Sequence, residues 1–160
     1  MVFRKETCLM FFKRAKKQPQ SDHVTVTLNQ VKQAIRQFEE DMPALINRTA
    51  LILDDKRIDL SRLQRYLGGV PDQNFYMSRE TYEVFEEQDK LVPYYLDMVQ
   101  SAVDNYISDT GQLPLVEDAW LPEVHYRLLA TESYLKETPP FPLYITEEEM
   151  MLTHRAEHFE

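Results

Sequence analysis

Residues 93–111 constrain this chain more than any other stretch. Leu96, Val99, Val103 and Ile107 recur at spacings of three and four, flanked by Tyr95, Met98, Ala102 and Tyr106, which places one apolar stripe along one side of a helix. Asp97, Gln100, Ser101, Asp104, Asn105 and Ser108 fall on the other side and are expected to face solvent. Pro93 suits a first turn, where its missing amide costs nothing, and Gly111 is free to adopt the left-handed conformation that closes a helix. A stripe this wide, with two tyrosines in it, has to be covered by the remainder of the chain.

That cover is expected from several shorter elements. Thr27 or Asn29 caps a helix burying Val31, Ala34, Ile35 and Phe38, and Pro43 stops it. The segment 49–53 reads as a short strand ended by a turn at Asp54, Asp55 and Lys56. Asp59 or Ser61 starts a short helix through Leu60, Leu63 and Leu67, closed at Gly68 and Gly69. A second strand is expected at 74–77, then a helix opened by Ser78 and running through Tyr82, Val84 and Phe85. Beyond Gly111 the chain reads as extended at 113–116, as a loop holding the sole tryptophan, Trp120, and as a helix over 126–135. The prolines at 139, 140 and 142 lead into Leu143, Tyr144 and Ile145. Thr146 with Glu149 matches a capping box for a terminal helix, while Glu147, Glu148 and Glu149 can equally turn the chain into a partner strand at 150–153. The C-terminal hairpin is preferred because residues 143–145 need a partner. The expected fold is therefore α+β, several helices packed with a small, mostly antiparallel sheet.

With 160 residues and 43% hydrophobic content, one domain is the expectation, placed at residues 23–155, with an arm at 1–22 and a tail at 156–160. The net charge of −9 is unevenly spread, since residues 1–17 carry six Lys or Arg and one Glu. An acidic body repels a phosphate backbone, so no nucleic-acid partner is expected. No apolar run is long enough to cross a bilayer, and Phe12 runs straight into Lys13 and Arg14 where a secretory signal would need small residues. The single cysteine, Cys8, fits a reducing, cytoplasmic setting. In the arm, Phe11 and Phe12 with Lys13, Arg14, Lys16 and Lys17 form a candidate contact for a membrane surface or an acidic partner.

Candidate chemistry is sparse. His154-Arg155-Ala156-Glu157-His158 has the spacing that would put two imidazoles on one helix face as zinc ligands, but the further ligand such a site needs is not evident, and no metal or cofactor is expected. His125 beside Glu123, or His154 with nearby carboxylates, supplies the alternative reading of a small hydrolase or metalloprotein. Nine tyrosines and eight phenylalanines favour protein contacts, and Tyr94, adjacent to the better buried Tyr95, is the first candidate contact residue in the body.

Tyr66-Leu67-Gly68-Gly69-Val70-Pro71-Asp72, Phe75-Tyr76-Met77-Ser78, Pro93-Tyr94-Tyr95-Leu96-Asp97, Val103-Asp104 with Gly111-Gln112-Leu113-Pro114, Pro139-Pro140-Phe141 and Thr153-His154-Arg155 together resemble a family of small proteins from Bacillus-type spore-forming bacteria. The resemblance spans most of residues 24–155. It implies a bacterial, cytosolic protein and transfers no site. Independently of the resemblance, the sparse catalytic chemistry and the aromatic content make a non-catalytic interaction or regulatory module with a protein partner the expected function.

Overall fold

A computed structural model describes residues 23–160. The arm and its candidate contacts Phe11, Phe12, Lys13, Arg14, Lys16 and Lys17 lie outside the described residues. The fold is α+β. Its strands are β1 (His23–Val24), β2 (Val70–Pro71), β3 (Phe75–Met77), β4 (Val84–Glu86), β5 (Tyr144–Ile145) and β6 (Leu152–Thr153). Its helices are α1 (Leu28–Asp41), α2 (Gln64–Leu67), α3 (Leu91–Thr110) and α4 (Tyr126–Thr131). The pairs β3–β4 and β5–β6 are antiparallel, and β1–β2 is parallel.

Two apolar cores lie on either side of the β3–β4 hairpin. In the register Tyr76↔Phe85 and Met77↔Val84, successive side chains leave opposite faces of the ribbon. Tyr76 and Phe85 join the core around α3, with Leu96, Val99, Val103, Leu129 and Leu143, whereas Phe75, Met77 and Val84 join the core around α1, with Val31, Ile35, Phe38, Leu51 and Leu63. A strand buried on both faces cannot alternate apolar with polar residues, so this hairpin carries no periodic signal in the sequence.

α1 forms where its caps and spacing predict. Thr27 accepts from the Gln30 amide while Gln30 accepts from the Thr27 amide, a reciprocal capping box, and the buried residues are Val31, Ala34, Ile35 and Phe38. Met42, held extended before Pro43, ends the helix. At the last turn Glu39 receives two hydrogen bonds from the Arg48 guanidinium, 2.8 and 2.5 Å, and a third from the Arg48 amide. These hold its carboxyl below the ordinary value of 4.5, chiefly through the side-chain bond to Arg48. A depressed carboxyl contributes stability that is fully present above its unfolded pKa and is lost as pH falls through the folded value. In acid titrations Glu39→Gln should therefore narrow its deficit relative to wild type as the pH drops below about 4.5; a deficit constant with pH would remove the ion pair from this account.

α3 starts two residues earlier than its apolar stripe predicts and ends as expected, with Gly111 left-handed (φ 69°) and its amide donating to the Ile107 carbonyl at 2.8 Å. The supposed solvent face is the correction. Gln100 is buried, and Asp97 is largely so. Gln100 Oε1 accepts from the Leu152 amide at 2.9 Å, and its Nε2 donates to the Met150 carbonyl and to Asp104. One amide side chain thus completes the free edge of β6 and fastens the C-terminal hairpin to α3. Gln100→Leu keeps the bulk and leaves the buried Leu152 amide without its acceptor and the part-buried Met150 carbonyl without its donor, so it should cost about 1–3 kcal/mol in chemical denaturation and speed exchange at the Leu152 amide. An unchanged Leu152 amide would show that water replaces Gln100 there.

The helix expected after Ser78 is a turn followed by β4. Ser78 does behave as a cap, its Oγ accepting from the Thr81 amide, but the amides of Arg79 and Glu80 are taken by Asp97 from α3. The backbone then reverses at Tyr82, whose φ is 58°. The strand expected at 49–53 is instead a 3-10 turn, Arg48–Leu51, because the Asn47 side chain accepts from the Thr49 amide and bends the chain; only Ile52 keeps strand pairing, bridged to Ile58. The short helix closed by Gly68 (φ 76°) and the hairpin at β5–β6 are as expected, and α4 stops at Thr131, short of 135.

Candidate functional site

Four extended passes lie side by side in the C-terminal third. Leu115 bridges to Val124, Glu123 bridges to Tyr144, and β5 pairs with β6. The ladder is made by the amides of Val116, Val124, His125 and Ile145, which donate to the carbonyls of Glu123, Leu143, Pro114 and Pro122 at 2.7–2.9 Å. One side of this small sheet packs on α3 through Val124, Leu143, Ile145 and Leu152.

An open groove of about 630 Å³ lies along it, within the size range of ligand-binding clefts. Its apolar lining comes from Leu113, Leu115, Pro122, Ile145, Met150 and Phe159. The Phe159 ring sits edge-on against Tyr144 at 5.9 Å, which brings the 3-10 turn Ala156–Phe159 onto the sheet. Glu147 and Glu148 of the β5–β6 turn give the lining its charge, and among the described residues no lysine or arginine lines the groove. The turn bends sharply at Glu149 and Met150, both with positive φ, and that bend leaves Met150 42% exposed. Leu113 is 41% exposed. Trp120, two residues before Pro122, is 97% exposed. Tryptophan is seldom left wholly in water by folding alone, and one two residues along the chain from a groove-lining proline is a candidate anchor for a partner.

The groove offers apolar surface and carboxylates, with no nucleophile held against a base. Its Thr146 hydroxyl already donates to the Met151 carbonyl, and its His158 ring sits edge-on to Phe159. His125 and His154, nominated from the sequence, lie outside the groove lining. His125 caps α4, its Nδ1 accepting from the Leu128 amide at 2.9 Å. His154 packs edge-on against Phe85, with Nδ1 3.8 Å from a Glu83 carboxylate that Arg155 already binds at 2.8 Å. The His-x-x-Glu-His stretch runs from the end of β6 into the 3-10 turn, so helical spacing does not bring its two imidazoles together. Among the described residues, no group of three or more His, Cys, Asp or Glu side chains has a metal-holding arrangement.

Tyr94 is half exposed at the start of α3 and away from the groove lining. Its ring meets Tyr95 edge-on at 5.1 Å, and both hydroxyls donate to Glu137, which raises both phenols above their ordinary range: the Glu137 charge is the leading cause for Tyr94, the hydrogen bond for Tyr95. Tyr76, buried with its hydroxyl on Glu87, is pushed up to about 12, mainly by burial. These phenols are neutral hydrogen-bond donors that tie loops to the core.

The groove's own residues, Leu113, Leu115, Ile145, Met150 and Phe159, carry no shared signal in the sequence. Their one advance sign is Trp120, a large ring in a loop otherwise made of small and acidic residues.

Fold and site define a small α+β protein with an apolar groove that glutamates also line and, among the described residues, no helix long and apolar enough to cross a membrane. The family model described as "Protein of unknown function (DUF3939)" matches residues 21–154, and the chain belongs to that family. No curated protein and no solved structure matches it.

Proposed function

We propose that the protein is a non-catalytic interaction module whose C-terminal groove takes a cationic peptide segment with apolar anchors. The observation that carries this reading is the apolar groove lined by Glu147 and Glu148 and, among the described residues, by no lysine or arginine, with the wholly exposed Trp120 two residues along the chain from its lining residue Pro122. Apolar side chains fill the groove and supply most of the binding, while Glu147 and Glu148 select a positive partner and repel acidic ones. An anionic membrane would meet the same repulsion at this face, so the favoured partner is a protein. The bacterial, cytoplasmic setting rests on the resemblance to proteins of spore-forming bacteria and on the single cysteine.

Calorimetric titration of the full chain with a synthetic peptide of lysines around two aromatic residues tests this. Trp120→Ala should weaken binding about tenfold or more, as loss of a central aromatic anchor does, and leave the melting temperature unchanged because the ring is not in the core. Met150→Asp should weaken binding as well. Equal affinity of wild type and both variants would overturn the groove as the site.

A further inference from the structure

We propose that the groove's resident occupant is this chain's own N-terminal arm, docked in cis through Leu9, Met10, Phe11 and Phe12. This rests on the reading of the groove as a peptide site and names its ligand. Within residues 1–22 lie six of the 18 cationic side chains and only two of the 27 acidic ones, so the arm is net positive and residues 23–160 carry a net charge of −13. The arm's residue types match those of the groove in kind. Four consecutive large apolar residues are followed directly by Lys13, Arg14, Lys16 and Lys17, and the groove combines an apolar lining with Glu147 and Glu148.

Covalent reach permits the contact. Leu9 lies fourteen residues from His23, a span of up to about 46 Å when extended, against a radius of gyration of about 14 Å for a body of this size. Tethering raises the arm's effective concentration to roughly the millimolar range, so modest groove affinity is enough for occupancy. Screening by salt weakens the charge pairing between groove and arm and leaves the apolar contact in place. An external partner must then displace the arm, which makes residues 1–22 an internal competitor that sets a threshold for binding.

The chain contains its own reporter pair, because Cys8 is its only cysteine and Trp120 its only tryptophan. Cys8 of the full chain is coupled to a short-range fluorescent acceptor, and energy transfer from Trp120 is measured. The expected result is strong transfer that is unchanged by about 100-fold dilution, as an intramolecular contact requires. It should fall at least twofold in about 0.5 M salt and in Glu147→Lys/Glu148→Lys. Phe11→Ser/Phe12→Ser should abolish it and tighten binding of the lysine–aromatic peptide severalfold by emptying the groove. Transfer that disappears on dilution would place the arm in a second copy's groove and overturn docking in cis. Weak transfer in solution, with the acceptor's emission changing only on anionic vesicles, would assign the arm to membranes and also overturn it. If the peptide binds wild type and Phe11→Ser/Phe12→Ser equally while transfer is absent, the arm is no occupant and the groove reading stands; if the peptide fails to bind either protein, both fall.

Discussion

Asp97→Ala is expected to lower the stability of the domain by about 3–5 kcal/mol and its melting temperature by roughly 10 °C or more. Asp97 forms an ion pair with Lys56, accepts from the Ser78 hydroxyl at 2.6 Å, and accepts from the amides of Arg79 and Glu80 at 3.0–3.2 Å. Its side chain and that of Lys56 are mostly withdrawn from water, so deletion of the carboxylate leaves a cation and two amides without the partner that folding has provided. Three segments distant in sequence meet at this one group: the turn at Lys56, the turn after Ser78, and α3. Asp97→Asn, which keeps the shape and one acceptor but loses the charge, should fall between wild type and Ala. Denaturation midpoints measure all three. A cost below about 1 kcal/mol for Asp97→Ala would reduce the cluster to a surface contact of ordinary worth.

Val103→Asp should prevent folding at neutral pH. Val103 has no exposed surface and lies within the α3 core beside Val99 and Leu143, where a charged carboxylate has neither water nor a cation. Burial would raise the new carboxyl's pKa above its unfolded value, so the charge penalty grows above the unfolded value of about 3.9 and eases as pH falls toward it. Val103→Ala, which removes two methyl groups and adds no charge, should cost about 2 kcal/mol and still fold. Asn105→Ala, on the exposed side of the same helix, should lie within about 0.5 kcal/mol of wild type. A Val103→Asp protein that melts like wild type would remove α3 from the centre of the fold.

Helices with one-sided burial were readable because their signal is local. The stripe of α1 and its capping box occupy fewer than fifteen consecutive residues, and the buried set Val31, Ala34, Ile35 and Phe38 follows from spacing alone. The left-handed exits at Gly68 and Gly111 were readable for the same reason, since glycine adopts that conformation without a Cβ penalty. The hairpin β5–β6 was legible only through the need of residues 143–145 for a partner strand, because Thr146 and Glu149 match a helix cap as well as a turn. The segment 78–86 was not, because its first residues hold real capping chemistry and only Asp97, arriving from α3, diverts the amides that a helix would have continued.

The candidate site was the least legible part. Its walls come from 113–122, 145–150 and 158–159, and nothing in any one of these segments states that the others will stand beside it. Trp120 was visible as a lone ring in a loop, but not its exposure, which depends on whether the fold supplies a cover.

Sequence alone determined the apolar stripes of α1 and α3 and the glycine exits of α2 and α3, since three-and-four spacing, caps and left-handed glycines act within a few residues. Tertiary structure decided the fate of the polar residues and the position of the groove. Gln100 and Asp97 carry the spacing of a solvent face, yet they are drawn inside because the β6 edge and the Ser78 turn present amides that no nearer acceptor satisfies. A buried polar side chain is stable only where its partners arrive, and here they arrive from 17 to 52 residues away.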